Sequence, residues 1–174
     1  MASSYNVSTA DMIQFGAALG IVSCPGGPAI SFKVGRSDSS TASPTGQMPS
    51  QNSNATVLIS QFAAKGFDAT ELVALVGAHT TATTLAGDGL DSTTGDWDTE
   101  FYSETSDGTA PTSLNSDRFL SNSSETSSTW QSFAGSASAW SAAFVPAMEK
   151  MSLLGNDEST LVDCSSIISS LAST

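Results

Sequence analysis

Positive charge is scarce in this chain: 5 lysines and arginines face 17 aspartates and glutamates over 174 residues, a net charge of −12. Such a chain repels phosphate backbones and anionic lipid, so nucleic-acid binding is excluded. No run of 18 apolar residues occurs, so no segment reads as a membrane-spanning helix. Glycine-rich nucleotide motifs are absent, both GxGxxG and the P-loop. Cys24 and Cys164 show no CxxC spacing, which removes a cysteine-zinc site and leaves a single bridge as open as two separate thiols. The N-terminus, MASSYNVSTADM, lacks the basic region and apolar core of a signal peptide. Either a leader has been removed or the protein is not secreted. Histidine occurs once, as His79, so no second imidazole is at hand.

What is present reads as one domain, residues 1–174, with 39% apolar residues and enough length to bury a core. Ser8 is placed to cap a helix running to about Val22, with Asp11 at the capping-box position. Met12, Phe15, Ala18, Leu19 and Val22 share one face, and CPGGP from Cys24 stops the run. Ile30 to Val34 alternates as a short strand would, and Gly35 to Asn54 reads as a long surface loop. A second helix is expected from Asn54 to Lys65, ended by Gly66. Asp68 and Glu71 then open a third that carries the chain to His79. Trp97 to Ser103 predicts a short helix, and Asn115 to Leu120 a turn or strand-like piece. The last long helix is expected from Ser136 to Gly155, burying Trp140, Phe144, Met148 and Met151, with Pro146 kinking it. The fold class is therefore mainly α, with β content limited to short pairs.

Chemistry gathers around His79. It follows the apolar face of TELVALVGAHTT, and the loop LDSTTGDWDTEFY downstream crowds Asp91, Thr93, Asp96 and Asp98 into eight positions. Imidazole suits iron or zinc, whereas clustered carboxylate and hydroxyl oxygens suit calcium. Plainer readings stand beside these. A lone histidine is more often a satisfied core side chain, and Trp97, Trp130 and Trp140 at helical spacing are more often core than electron relays. Asp88, Asp91, Asp96 and Asp98 offer no two carboxylates on rigid facing elements, as a glycosidase needs. Lys33, Lys65 and Lys150 form no patch. Asn6, Asn54 and Asn122 carry glycosylation sequons, which a chain this rich in serine and threonine also produces by chance.

Taken in order, STADMIQFGAALGIVSCPGGP, ELVALVGAHTTA, LDSTTGDWDTEFY, LNSDRF and MSLLGNDESTLVDCSS resemble the secreted fungal haem peroxidases of the lignin, manganese and versatile class. The resemblance covers nearly the whole chain and corresponds to the C-terminal, proximal half of such an enzyme. It implies the helical haem-peroxidase fold, heme b, Ca2+ and an extracellular location. His79 matches the proximal iron ligand, and Asp117 the aspartate that accepts its second ring N–H. Thr80, Asp91, Thr93 and Asp98 match side-chain ligands of the proximal calcium site, and Asp96 a backbone carbonyl ligand.

Departures from the pattern matter as much. The distal arginine and histidine that cleave hydrogen peroxide belong to a helix preceding the first one here, so no catalytic residue is assigned in this chain. Position 85 is leucine where manganese-oxidising relatives place an aspartate. Ala74 stands at the lignin-peroxidase surface tryptophan, Leu90 at a phenylalanine beneath the haem, and Ser128 at a cysteine. The cysteines matching Cys24 and Cys164 pair in relatives with partners in the N-terminal half. The resemblance thus implies peroxide-dependent one-electron oxidation of small phenolic donors when a distal half is supplied by a complementary chain or a longer precursor. The alternative is a haem-free, non-catalytic scaffold that binds a partner, simplest as a homodimer covering the exposed apolar half-pocket.

Overall fold

The computed structural model describes residues 5–171, and these hold eight α-helices and one two-stranded sheet. The mainly α architecture with short β pieces is the one expected. The chain gathers into two compact units, Gly46–Ala147 and Met1–Thr45 with Met148–Thr174.

The Gly46–Ala147 unit begins with α2 (Ala55–Ala63), capped by Asn54, whose Oδ1 accepts the Val57 N–H at 2.9 Å. The left-handed Gly66, φ 89°, lets the chain reverse into α3 (Ala69–Val76). The expected capping box opens α3: Asp68 accepts from the Glu71 N–H and Glu71 from the Asp68 N–H, both at 2.8 Å. Leu72, Val73, Ala74 and Leu75 are buried. The helix then tightens into a 3-10 turn, Gly77–Thr81, so His79 rides on a tighter turn than a continuing α-helix would give. Gly77 is required there, because a Cβ would collide with the Tyr102 hydroxyl and the Trp140 indole.

Two readings of this unit are corrected, and one helix is added to it. The helix expected at Trp97 starts three residues later as α4 (Glu100–Asp107), because Asp98 folds back to accept the Glu100 N–H at 2.9 Å. Asn115 to Leu120 is no strand but the start of α5 (Asn115–Asn122), which buries Ser116, Asp117 and Leu120. A further helix, α6 (Ser127–Ala134), lies in a Ser/Thr-rich stretch and is anchored by buried Trp130 and Phe133. The long helix α7 (Ala137–Leu153) runs through Pro146 and buries Trp140 and Phe144; Met148 is half-buried and Met151 is exposed, contrary to expectation. Buried polar atoms of the core find carbonyls: Tyr102 Oη donates to Val73 O, Trp130 Nε1 to Tyr102 O and Trp140 Nε1 to Ala74 O, each at 2.9 Å.

In the other unit α1 (Thr9–Ser23) is capped by Ser8, whose Oγ accepts the Asp11 N–H at 2.9 Å. Asp11 does not complete a capping box. Its carboxylate turns inward to accept from the Gly35 N–H at 2.9 Å and to pair with Arg36 at 2.9 Å, both partners almost fully buried. Asp38 instead satisfies the helix start, accepting from the Thr9 and Ala10 N–H groups at 3.0 and 2.8 Å. The alternation at Ile30–Val34 holds, with Ile30 and Phe32 buried, but only β1 (Lys33–Val34) is paired, antiparallel to β2 (Val162–Asp163). Helix α8 (Ser165–Leu171) buries Ile168. Cys24 and Cys164 form no disulfide.

Candidate functional site

His79 is delivered by the 3-10 turn after α3, and Asp117 by the first turn of α5, 38 residues further on. Their side chains meet at 3.0 Å, His79 Nδ1 to Asp117 Oδ2. A carboxylate only accepts, so Nδ1 carries the proton and Nε2 is the ring's lone-pair nitrogen. The carboxylate is 2% exposed while the imidazole is 33% exposed. Ser116 Oγ donates to the other carboxylate oxygen at 3.2 Å, and Phe101 stands edge-on to the imidazole with centroids 5.5 Å apart. Around the ring opens a groove of about 330 Å3, lined by Leu58, Phe62, Leu72, Val76, Leu114 and Leu120 beside the polar pair. Met48 to Gln51, from the long loop, complete its wall. An apolar slot with one lone-pair imidazole, its tautomer fixed by a buried carboxylate, fits an iron porphyrin held on one face.

Three of the oxygen-bearing side chains named from the sequence converge beside this turn. Thr80 Oγ1 lies 2.5 Å from Asp91 Oδ2 and 3.2 Å from Asp98 Oδ1. Asp91 Oδ1 accepts the Thr93 N–H at 3.0 Å, and Thr93 Oγ1 is buried with no hydrogen-bond partner. Burial pushes the Asp91 carboxyl up; the Thr80 hydroxyl and Thr93 N–H lower it only partly, and Asp98 and Glu104 add repulsion. A buried carboxylate raised in this way and an orphaned hydroxyl beside it both suit a hard cation. Asp96 is exposed, and its N–H bonds the Thr93 carbonyl at 2.8 Å. Among the described residues no three His, Cys, Asp or Glu side chains form a metal cluster, so any cation here would lean on hydroxyls and carbonyls.

A family model described as peroxidase matches residues 1–136. The chain belongs to the peroxidase family. It is 35% identical to manganese peroxidase 3 of Phlebia radiata over 94% of this chain and 52% of that protein. It is 34% identical to a peroxidase of Arthromyces ramosus over 98% of this chain and 53% of the relative. Versatile peroxidase VPS1 of Pleurotus eryngii is 32% identical over 94% and 51%. The chain thus spans about half the length of the curated relatives it matches.

Three positions read from the sequence as departures lie in the Gly46–Ala147 unit. Leu85 is fully exposed and brings no carboxylate. Leu90 is buried but is not among the residues lining the groove. Ala74 is wholly buried, its carbonyl taken by Trp140, so position 74 offers no surface for an aromatic relay. Sequence reasoning missed Phe101, Ser116 and the groove wall of Leu58, Phe62 and Met48. Phe62 gave a signal, since it falls with Leu58 on one face of α2.

Proposed function

We propose that this chain carries the proximal side of a haem peroxidase site, in which His79 Nε2 would hold the iron. The observation that carries the reading is the His79–Asp117 hydrogen bond, set in an apolar groove with one partner buried and the other accessible. Asp117 holds the ring plane and draws the Nδ1 proton, which makes the imidazole a stronger donor. The groove's mostly apolar wall gives the accessible ring a surface on which a large apolar group can lie. Haem, when bound, supplies the peroxide chemistry, one-electron oxidation of small aromatic donors. Full turnover needs a distal acid/base pair in addition, worth roughly 100- to 10,000-fold. Thr80, Asp91, Thr93 and Asp98, with the Asp96 carbonyl, would hold Ca2+ and so tie the loop to the residue following His79. The family match runs through both units, which supports reading them as parts of one domain. An extracellular setting goes with this reading, and Asn6, Asn54 and Asn122 are exposed for glycosylation. Haem reconstitution tests it: a Soret band should form with wild-type chain and be lost with His79→Ala.

A second reading, a haem-free scaffold that binds a partner or a second copy, is supported by Met48 and Leu85 standing exposed in the same unit. An unchanged spectrum with His79→Ala, together with a dimeric native mass, would favour it.

A further inference from the structure

We infer that Trp97 and Trp140 form a one-electron redox site, where an oxidising equivalent comes to rest as a radical cation shared by two indoles. Their rings lie nearly parallel, 9° apart, with centroids 5.0 Å apart, the one stacked aromatic pair among the ring contacts of the described residues. Both are buried, Trp97 at 7% exposure and Trp140 at 1%. Parallel stacking lets one positive charge spread over both facing π systems, which the edge-on contacts of the other rings do not allow. Trp97 Nε1 is buried without an acceptor, a cost that phenylalanine at the same place would avoid. Shape alone therefore does not explain an indole at position 97, whereas its ease of oxidation does.

The pair is joined to His79 by rings in contact. His79 meets Phe101 at 5.5 Å, Phe101 meets Trp130 at 5.4 Å, Trp130 meets Tyr102 at 5.0 Å, and Tyr102 meets Trp140 at 5.8 Å. The oxidising equivalent has reasons to stop at the end. Tyr102 gives up an electron readily only with its proton, and its hydroxyl donates to the Val73 carbonyl, which is no base. Burial also pushes that phenol well above its usual range. Trp130 has only tilted and edge contacts. Trp140 instead donates its N–H to the Ala74 carbonyl, which steadies positive charge on its ring. The surrounding unit is rich in carboxylates, with Lys65 and Arg118 as its lysine and arginine.

For its oxidant the site rests on the peroxidase reading, namely a haem group oxidised by hydrogen peroxide at His79. One electron leaves the pair and reduces that group by one equivalent. No proton moves and no bond breaks, and a one-electron aromatic donor restores the pair. The role is that of a reservoir that draws oxidising equivalents away from the proximal ligand.

Pulse radiolysis of the haem-free full chain with azide radicals tests the pair without any cofactor. The expected result is a broad near-infrared charge-resonance band, retained in Trp130→Phe and lost in Trp97→Phe. In wild-type chain carrying ring-deuterated tryptophan, electron paramagnetic resonance should show spin shared over two indoles, a readout that needs no variant to fold. A single-ring signal, or a band that survives Trp97→Phe, overturns the proposal. A second arm adds haem and peroxide. Failure of haem to bind removes the reading above and leaves the radiolysis band standing. A normal Soret band with no radiolysis band removes this proposal and leaves that reading.

Discussion

Asp11 and Asp117 invite comparison, since each is a buried carboxylate in the first turn of a helix, one in each compact unit. Asp11 is held by Arg36 and two backbone N–H groups, and its partner is buried too. Asp117 spends one oxygen on a serine and the other on an imidazole that remains one-third exposed at a groove. The same residue type at the same helical position thus serves two ends. A pair between two buried partners fixes the chain, whereas a buried group paired with an accessible one transmits its charge outward. What the partner can still reach decides which it is.

The comparison is broken most forcefully at Asp11. Asp11→Ala would leave the Arg36 guanidinium buried without its counter-charge, a cost of about 3–5 kcal/mol, or roughly 2–4 °C of Tm per kcal/mol at this size. Thermal melts should show that loss while any haem spectrum of refolded protein stays unchanged. The acid limb tests the same pair. Burial raises the Asp11 carboxyl, but hydrogen bonds from Gly35, Arg36 and Ser8 outweigh it, so its folded pKa lies below the ordinary 3.8. Its contribution is therefore complete above that value and is lost as pH falls below it. Asp11→Asn should flatten that part of the stability profile; an unchanged acid limb would show the pair is not the group that titrates.

At Asp117 the expectation is the reverse, a functional loss with a modest structural one. Asp117→Asn should keep haem but weaken its binding about 10- to 100-fold and raise the reduction potential, because a neutral amide no longer polarises the Nδ1 proton. Spectroelectrochemistry reads the potential and a haem titration the affinity. An unshifted potential would mean that Asp117 serves only to fix the chain, as Asp11 does.

The cation loop comes next in size. Calcium at 100 times its Kd should stabilise the chain by about 2.7 kcal/mol, seen as a higher Tm that millimolar EDTA reverses. Asp91→Asn should abolish that response and, by removing a buried charge, stabilise the metal-free chain. A calcium response that survives the substitution would place the ion elsewhere.

These residues also mark how far the sequence could be read. The Asp68–Glu71 capping box and the Gly66 stop were legible because each rests on neighbours three residues away. Helices α5 and α6 were not, since NSDRFLSN and SSTWQSFA are poor in strong helix formers and are held by Leu120, Trp130 and Phe133 packed in the core. Arg36 as partner of Asp11 lies 25 positions away and has no local signal. His79 and Asp117 are 38 positions apart, so periodicity could not join them; only the ordered family motifs did, and the fold brings the two to 3.0 Å.

The smallest effect expected is at Asn54, where a cap and a sequon share one side chain. Its Oδ1 accepts the Val57 N–H at 2.9 Å and starts α2, which brings Leu58 and Phe62 to the groove. Asn54→Ala should cost about 1 kcal/mol, while Asn54→Asp keeps the acceptor and should cost little. Thr56→Ala removes the sequon and leaves the cap. If glycosylation matters to folding, Asn54→Asp and Thr56→Ala will share a defect that Asn54→Ala also shows. If the cap matters, only Asn54→Ala will lower Tm, and haem affinity will fall with it because the frayed first turn lies directly before Leu58. Wild-type Tm in all three variants would show that α2 is held by its groove-facing side chains alone.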